Sequence, residues 1–278
     1  MKKTSLFVLC SVITMLSVAQ VQMPQASPTQ TIIQNFGTGT ITLTYSRPSI
    51  KGRTLFTETS DLAPLGKMWR TGANGATRLT FTDPVTIGGK NIDTGSYALY
   101  TIPGKTEWTI IINRGFNNGG LDGYKESDDV VRFKVPVKQA NPSIETFTMQ
   151  FQNLKAESCD LALRWGNTLV NVPLTVNIKD KIRAQIQSAL QGNDKPYWQA
   201  ANFYYDWDKD YPKALENVNN ALKDNSDAFY MYMLKAKIQK ALGDKSGAKE
   251  SAQKCIETAT TAKNDDYVKQ ANDLIKSL

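Results

Sequence analysis

Apolar and polar residues alternate with a period of two from Thr31 to Ile178. Ile41, Leu43 and Tyr45 alternate with Thr40, Thr42 and Thr44, and Val131, Phe133 and Val135 alternate with Arg132 and Lys134. Phe147, Met149 and Phe151 share one parity, and Val170, Val172, Leu174, Val176 and Ile178 share another. Such alternation belongs to antiparallel strands that bury one face. Gly88-Gly89 fits a two-residue hairpin turn, and Pro103-Gly104-Lys105 joins a strand over 97–102 to one over 108–113. About nine or ten short strands of this kind predict an antiparallel β-sandwich or jelly-roll-like barrel. Gly115 to Gly123, with Asn117-Asn118-Gly119-Gly120, predicts a long mobile loop beside the sheet.

After Ile178 the period becomes helical. Ile182, Ile186, Ala189 and Leu190 form one stripe, and Asn193-Asp194-Lys195-Pro196 ends it. Ala214, Val218 and Ala221 return 34 residues later as Ala248, Ala252 and Cys255, and Asp210 returns as Asp244. This period, with small residues at those offsets, resembles the tetratricopeptide repeat, a helix-turn-helix unit. Trp198, Ala201 and Tyr205 suit the first helix of the first unit, whereas Tyr232, Lys235 and Gln239 at the matching positions of the second unit do not. A final helix over 266–278 would cap the stack. The expected architecture is α+β in two domains: a β-rich domain over 20–177 and an all-α helical-repeat domain over 178–278.

The first residues give an address. Lys2-Lys3, an apolar run from Leu6 to Leu16 and Ser17-Val18-Ala19 before Gln20 have the layout of a signal peptide over 1–19. Cys10 sits within the apolar run behind bulky Leu9, where lipid attachment would call for a small residue. No later stretch is apolar enough to span a bilayer, so a periplasmic or extracellular protein with no membrane span is expected. The formal net charge is +7, of which Lys2 and Lys3 supply two; the rest is spread along both halves and makes no nucleic-acid footprint. Cys159 and Cys255 lie beyond the signal, on a core-facing strand parity and at a small-residue helix position, and are expected to be buried free thiols.

Arginine is unevenly distributed: seven of eight lie before residue 178, with only Arg183 after it. Arginine suits planar ion recognition, so the first half is where a site is sought. The densest stretch is Tyr45-Ser46-Arg47-Pro48-Ser49-Ile50-Lys51-Gly52-Arg53, followed by Gly66-Lys67 and Trp69-Arg70-Thr71-Gly72-Ala73-Asn74. Gly95-Ser96-Tyr97-Ala98-Leu99, Thr101-Ile102-Pro103-Gly104 and Trp108 come later. Together these segments resemble an exported bacterial family, the domain of unknown function 2911, over roughly residues 24–177; Thr57-Glu58-Thr59-Ser60 departs from the family's shorter, more apolar link. The resemblance implies a β-rich exported domain and no assigned activity.

The motif residues frame two expectations. Arg47, Lys51, Arg53, Arg70 and Asn74 converge on one rim with Trp69 as a stacking plate, making a pocket for a carboxylate, phosphate or sugar acid. Alternatively, Arg47 and Arg70 pair with Glu58, Asp61 or carbonyls and pin a long loop. The chain has no histidine, which excludes Ser-His-Asp and Cys-His catalysis and histidine-ligated zinc. Asp206, Asp208 and Asp210 alternate like a calcium loop but lack its Gly and Glu. No catalytic residue, metal or cofactor is assigned. The favoured function is a non-catalytic binder of a small anionic or glycan ligand. The alternative is an envelope scaffold that recognises a protein partner through the helical repeats. A carboxylate-dependent hydrolase using Glu107, Glu145 and Asp160 ranks third.

Overall fold

The computed structural model describes residues 23–278, so the signal peptide expected over 1–19 lies outside the described residues. The chain forms two compact units, one of strands and one of helices, the second also taking in the turns Phe36–Gly39 and Lys155–Ser158. The arrangement is α+β in two parts: a nine-stranded antiparallel sheet followed by six helices.

The strands are β1 (Thr29–Phe36), β2 (Gly39–Ser46), β3 (Ala73–Phe81), β4 (Val85–Ile87), β5 (Lys90–Ile92), β6 (Gly95–Ile102), β7 (Glu107–Asn113), β8 (Asp129–Gln152) and β9 (Ser158–Thr175). Their order in the sheet is β1-β2-β3-β6-β7-β8-β9-β4-β5. The two segments predicted around Phe133 and Phe147 are one strand, β8. Its first part pairs with β7 from Asp129 to Pro136, and the rest pairs with β9 through two register shifts between Gln139 and Thr148. Residues just past β2 close on the other edge of β8, where Phe147 N donates to Pro48 O and Ile50 N donates to Glu145 O. The sheet thereby folds back over an apolar core, and a separate, smaller cluster gathers Ala98, Tyr100 and Ile111 with Met68 and Tyr124. In the larger core Trp69 stacks on Trp165 at 5.7 Å, Trp108 and Phe147 meet Trp69 edge-on, and the Tyr45 hydroxyl accepts from Met149 N at 2.8 Å.

The predicted mobile loop after β7 is instead pinned by hydrogen bonds. Asn113 Nδ2 donates to Lys125 O and Asp129 Oδ1, Asn118 Nδ2 donates to the Tyr100 hydroxyl, and that hydroxyl donates to Gly120 O. The asparagines, read from sequence as loop formers, are the residues that hold the loop in place.

The helices are α1 (Lys179–Ala189), α2 (Tyr197–Phe203), α3 (Tyr211–Asp224), α4 (Phe229–Ala241), α5 (Lys245–Thr261) and α6 (Asp265–Lys276), with a π-turn over Tyr204–Asp208. Asp210 caps α3 by accepting from Lys213 N, and Asp244 caps α5 by accepting from Gly247 N. Each cap satisfies a backbone donor that the helix leaves open. Helix α4 is buried on two sides: Met231, Leu234 and Ile238 join the core of α2 and α3, while Met233 and Ala236 join Ala252, Cys255, Ala271 and Leu274 of α5 and α6. Gln239, buried in α4, is satisfied by Ser251 Oγ and by the Asp244 carboxylate.

Candidate functional site

Each motif residue has a defined place. The chain re-enters the sheet at Trp69, whose backbone exchanges hydrogen bonds with Thr101 of β6 at 2.7 and 2.9 Å. That position opens because β3 pairs with β6 only as far as Thr77 opposite Leu99. The Trp69 ring is 4 % exposed and covered by Trp108, Phe147 and Trp165, and its Nε1 donates to Gly72 O at 3.0 Å. It is a core residue, not a plate open to a ligand; the parity of a single loop residue could not reveal this.

Arg70 and Asn74 close on each other at the end of the β2–β3 pair. An Arg70 terminal nitrogen donates to Asn74 O at 2.8 Å, and Asn74 Nδ2 donates to Ser46 Oγ and Ser27 O. Asn74, with Gly75, Ala76, Thr44, Ser46 and Thr29, borders an open cleft of about 420 Å³. Arg47 turns the other way, toward β8: its Nε donates to Phe147 O at 3.2 Å and a terminal nitrogen donates to Thr148 Oγ1 at 2.8 Å. Arg53 folds onto its own turn, donating to Ile50 O and Ser49 O, while Lys51, at φ 49°, gives its backbone N–H to Glu145 Oε1. The motif thus supplies two cationic positions, Arg70 with Asn74 and Arg47 with Lys51 and Arg53, and a buried tryptophan between them in sequence.

Neither Glu58 nor Asp61 lies within ion-pair distance of these arginines among the described residues; every acceptor they meet is a neutral oxygen. Arg132 differs. It pairs with Asp129 at 2.9 Å and donates to the Tyr124 hydroxyl. The Tyr124 hydroxyl itself donates to Asp129, and burial followed by that carboxylate pushes its pKa up to about 12. This trio braces the loop after β7 and is fully engaged.

With this geometry in view, the profile of the family described as "Protein of unknown function (DUF2911)" matches residues 27–174. The chain belongs to the DUF2911 family. No match emerges among curated proteins. The DUF2911 region holds every motif residue above and ends within β9.

A second concavity in the DUF2911 region was not foreseen. On the outer face of β8 and β9, Thr146, Thr148, Gln150 and Gln152 line a groove of about 470 Å³ with Arg164 and Glu145. One Arg164 terminal nitrogen donates to Pro142 O, and its Nε is buried without a partner among the described residues. The available signal was a run of polar even-numbered positions opposite Phe147, Met149 and Phe151, which by itself marks only a solvated strand face. The carboxylates considered for hydrolysis have separate partners: Glu107 pairs with Lys134, Glu145 accepts from Lys51 N, and Asp160 accepts from Asn153. Among the described residues no cluster of three or more His, Cys, Asp or Glu side chains can hold a metal.

Proposed function

We propose that this chain is an exported, non-catalytic binding protein whose β-unit holds a small anionic or glycan ligand. The observation that carries this reading is the bonding of Arg47, Arg53, Arg70 and Arg164. Among the described residues each guanidinium meets only neutral oxygens, so its charge is left uncompensated. A guanidinium held this way is oriented yet retains the charge that attracts a carboxylate or phosphate. Export is supported by the layout of residues 1–19, and no helix among the described residues is long and apolar enough to cross a membrane. Thermal-shift titration with sugar acids and phosphorylated sugars tests the reading. A concentration-dependent rise in Tm for at least one of them is expected, and a panel-wide null overturns it.

A second reading is favoured by the helical unit: two degenerate tetratricopeptide-like repeats that recognise an envelope protein. Its support is the recurrence at 34 residues of both a capped helix start, Asp210 and Asp244, and the buried small faces Ala214-Val218-Ala221 and Ala248-Ala252-Cys255. Stacked helix pairs present a recognition surface more often than a catalytic one. In-cell crosslinking of the full chain should yield an adduct that the surface variant Lys235→Glu loses. An adduct indifferent to this and to charge reversal at Lys237 and Lys240 of α4 would remove the scaffold reading.

A further inference from the structure

The groove over β8 and β9 carries an inference about where and what the β-unit binds, and it rests on the reading of that unit as a binder. Three side chains stand in a row across adjacent segments. Thr148 of β8 lies directly opposite Arg164 of β9 in the antiparallel register, which puts both on one face. From the other side Arg47 donates to Thr148 Oγ1 at 2.8 Å. One threonine is therefore flanked by two guanidinium groups, neither of which meets a carboxylate among the described residues.

Arg164 is the more telling of the two. Its Nε–H is buried and has no acceptor among the described residues, although it sits in a groove lined by polar side chains. Buried donors in native proteins mostly find an acceptor, so the bonding of this guanidinium to the protein is incomplete at Nε, as is that of Trp108 at Nε1. The groove sits on paired strands, which hold side chains to a productive geometry better than loops do.

The rest of the lining narrows the ligand. Gln150 projects from β8 with no side-chain hydrogen bond among the described residues and offers both a donor and an acceptor to hydroxyl groups. Ile144, Ala162 and Leu169 supply an apolar strip suited to the C–H face of a sugar ring. Glu145 places a negative charge at the same groove, which opposes a ligand carrying two. The cavity of about 470 Å³ suits a small ligand of sugar size.

We propose that this groove is the ligand site of the β-unit and that it takes a small monocarboxylate bearing hydroxyl groups, a sugar acid. The carboxylate lies against Arg164, with Arg47 adding positive charge from behind Thr148, and Gln150 and Thr146 read the hydroxyls. Calorimetric titration of the full chain with D-glucuronate, D-glucose and glucose 6-phosphate tests this. Glucuronate is expected to bind, with glucose and the dianionic phosphate each binding at least about tenfold more weakly. Arg164→Gln should weaken glucuronate binding on the order of ten- to a hundredfold. Gln150→Glu, an exposed change that adds a repelling carboxylate, should lose binding with an unchanged Tm. Binding of glucuronate that survives both substitutions overturns the groove while leaving the β-unit a binder. Tighter binding of glucose 6-phosphate, or no binding of glucuronate while another ligand of the wider panel binds, overturns the ligand class. A null across the whole panel overturns the binder reading itself.

Discussion

Thr71 is a β-branched residue at φ 57° with no solvent exposure, a combination that costs about 1–3 kcal/mol where nothing compensates it. Here the turn is over-determined. Thr71 Oγ1 donates to Thr101 Oγ1, and Thr71 O accepts from Thr77 Oγ1 at 2.6 Å. Gly72 follows at φ 155°, where a Cβ would stand 2.9 Å from Ser46 O. The motif Trp69-Arg70-Thr71-Gly72 thus combines two tasks: tryptophan, threonine and glycine build a buried strained turn, and arginine alone faces outward. Substitution should separate them. Trp69→Ala is expected to cost about 3–5 kcal/mol in denaturant unfolding, as for other large core aromatics. Arg70→Ala should stay within about 0.5 kcal/mol, as half-exposed residues without ion pairs do. A cost for Arg70→Ala rivalling that of Trp69→Ala would make this arginine a structural pin.

At the scale of elements, period-two alternation revealed that strands exist, about how many there are and which residues face the core, but not where each strand ends. β9 shows why. Apart from small Ala162, its buried positions are odd from Cys159 to Trp165 and even from Val170 to Leu174, and the change falls at Gly166, held at φ 56° with Leu55 packed 3.1 Å from where a Cβ would be. A bulge of this kind keeps one strand continuous while switching its parity, so the sequence suggests a break where the backbone has none. The same blindness hid the groove. Thr148 and Arg164 are 16 residues apart and become neighbours only through the register of β8 and β9. Arginine enrichment was legible, but the pairing that aims each guanidinium was not.

The helical elements carry a charge device that sequence reading treated as a failed calcium loop. Asp208 accepts from Arg183 Nε and a terminal nitrogen at 2.8 and 2.7 Å, with Lys179 at 3.3 Å, tying α1 to the π-turn. The Arg183 hydrogen bonds, then Lys179, hold the Asp208 carboxyl below its usual range, and Lys213 does the same for Asp210. A depressed carboxylate contributes stability that is complete above the unfolded value of about 3.9 and is lost as pH falls through the folded one. Asp208→Asn should therefore be less stable than the parent at pH 7 and should lose less on acidification from pH 5 to pH 2. Circular dichroism of α-helical content during acid titration checks this, and parallel curves for the two proteins would show the pair to contribute nothing.

At the scale of the whole molecule, each unit holds one free cysteine, and the pair reports on both units at once. Cys159 is 2 % exposed in β9 and Cys255 is 0 % exposed in α5, and both are free. Burial pushes each thiol up to about 11, so almost no thiolate forms near neutral pH and reaction with oxidants or alkylating agents is slow. A chain that enters an oxidising compartment can then keep two reduced thiols without a bridge, because each is shielded by its own core. The sequence holds three cysteines, the third being Cys10 within the expected signal peptide. If the chain is exported as proposed, the mature protein should titrate no thiol at pH 8 while folded and two after denaturation, with the same mobility on reducing and non-reducing gels. A count of three after denaturation would mean that the signal is retained. A single reactive thiol in the folded state would identify which unit opens first, because each cysteine belongs to only one of them.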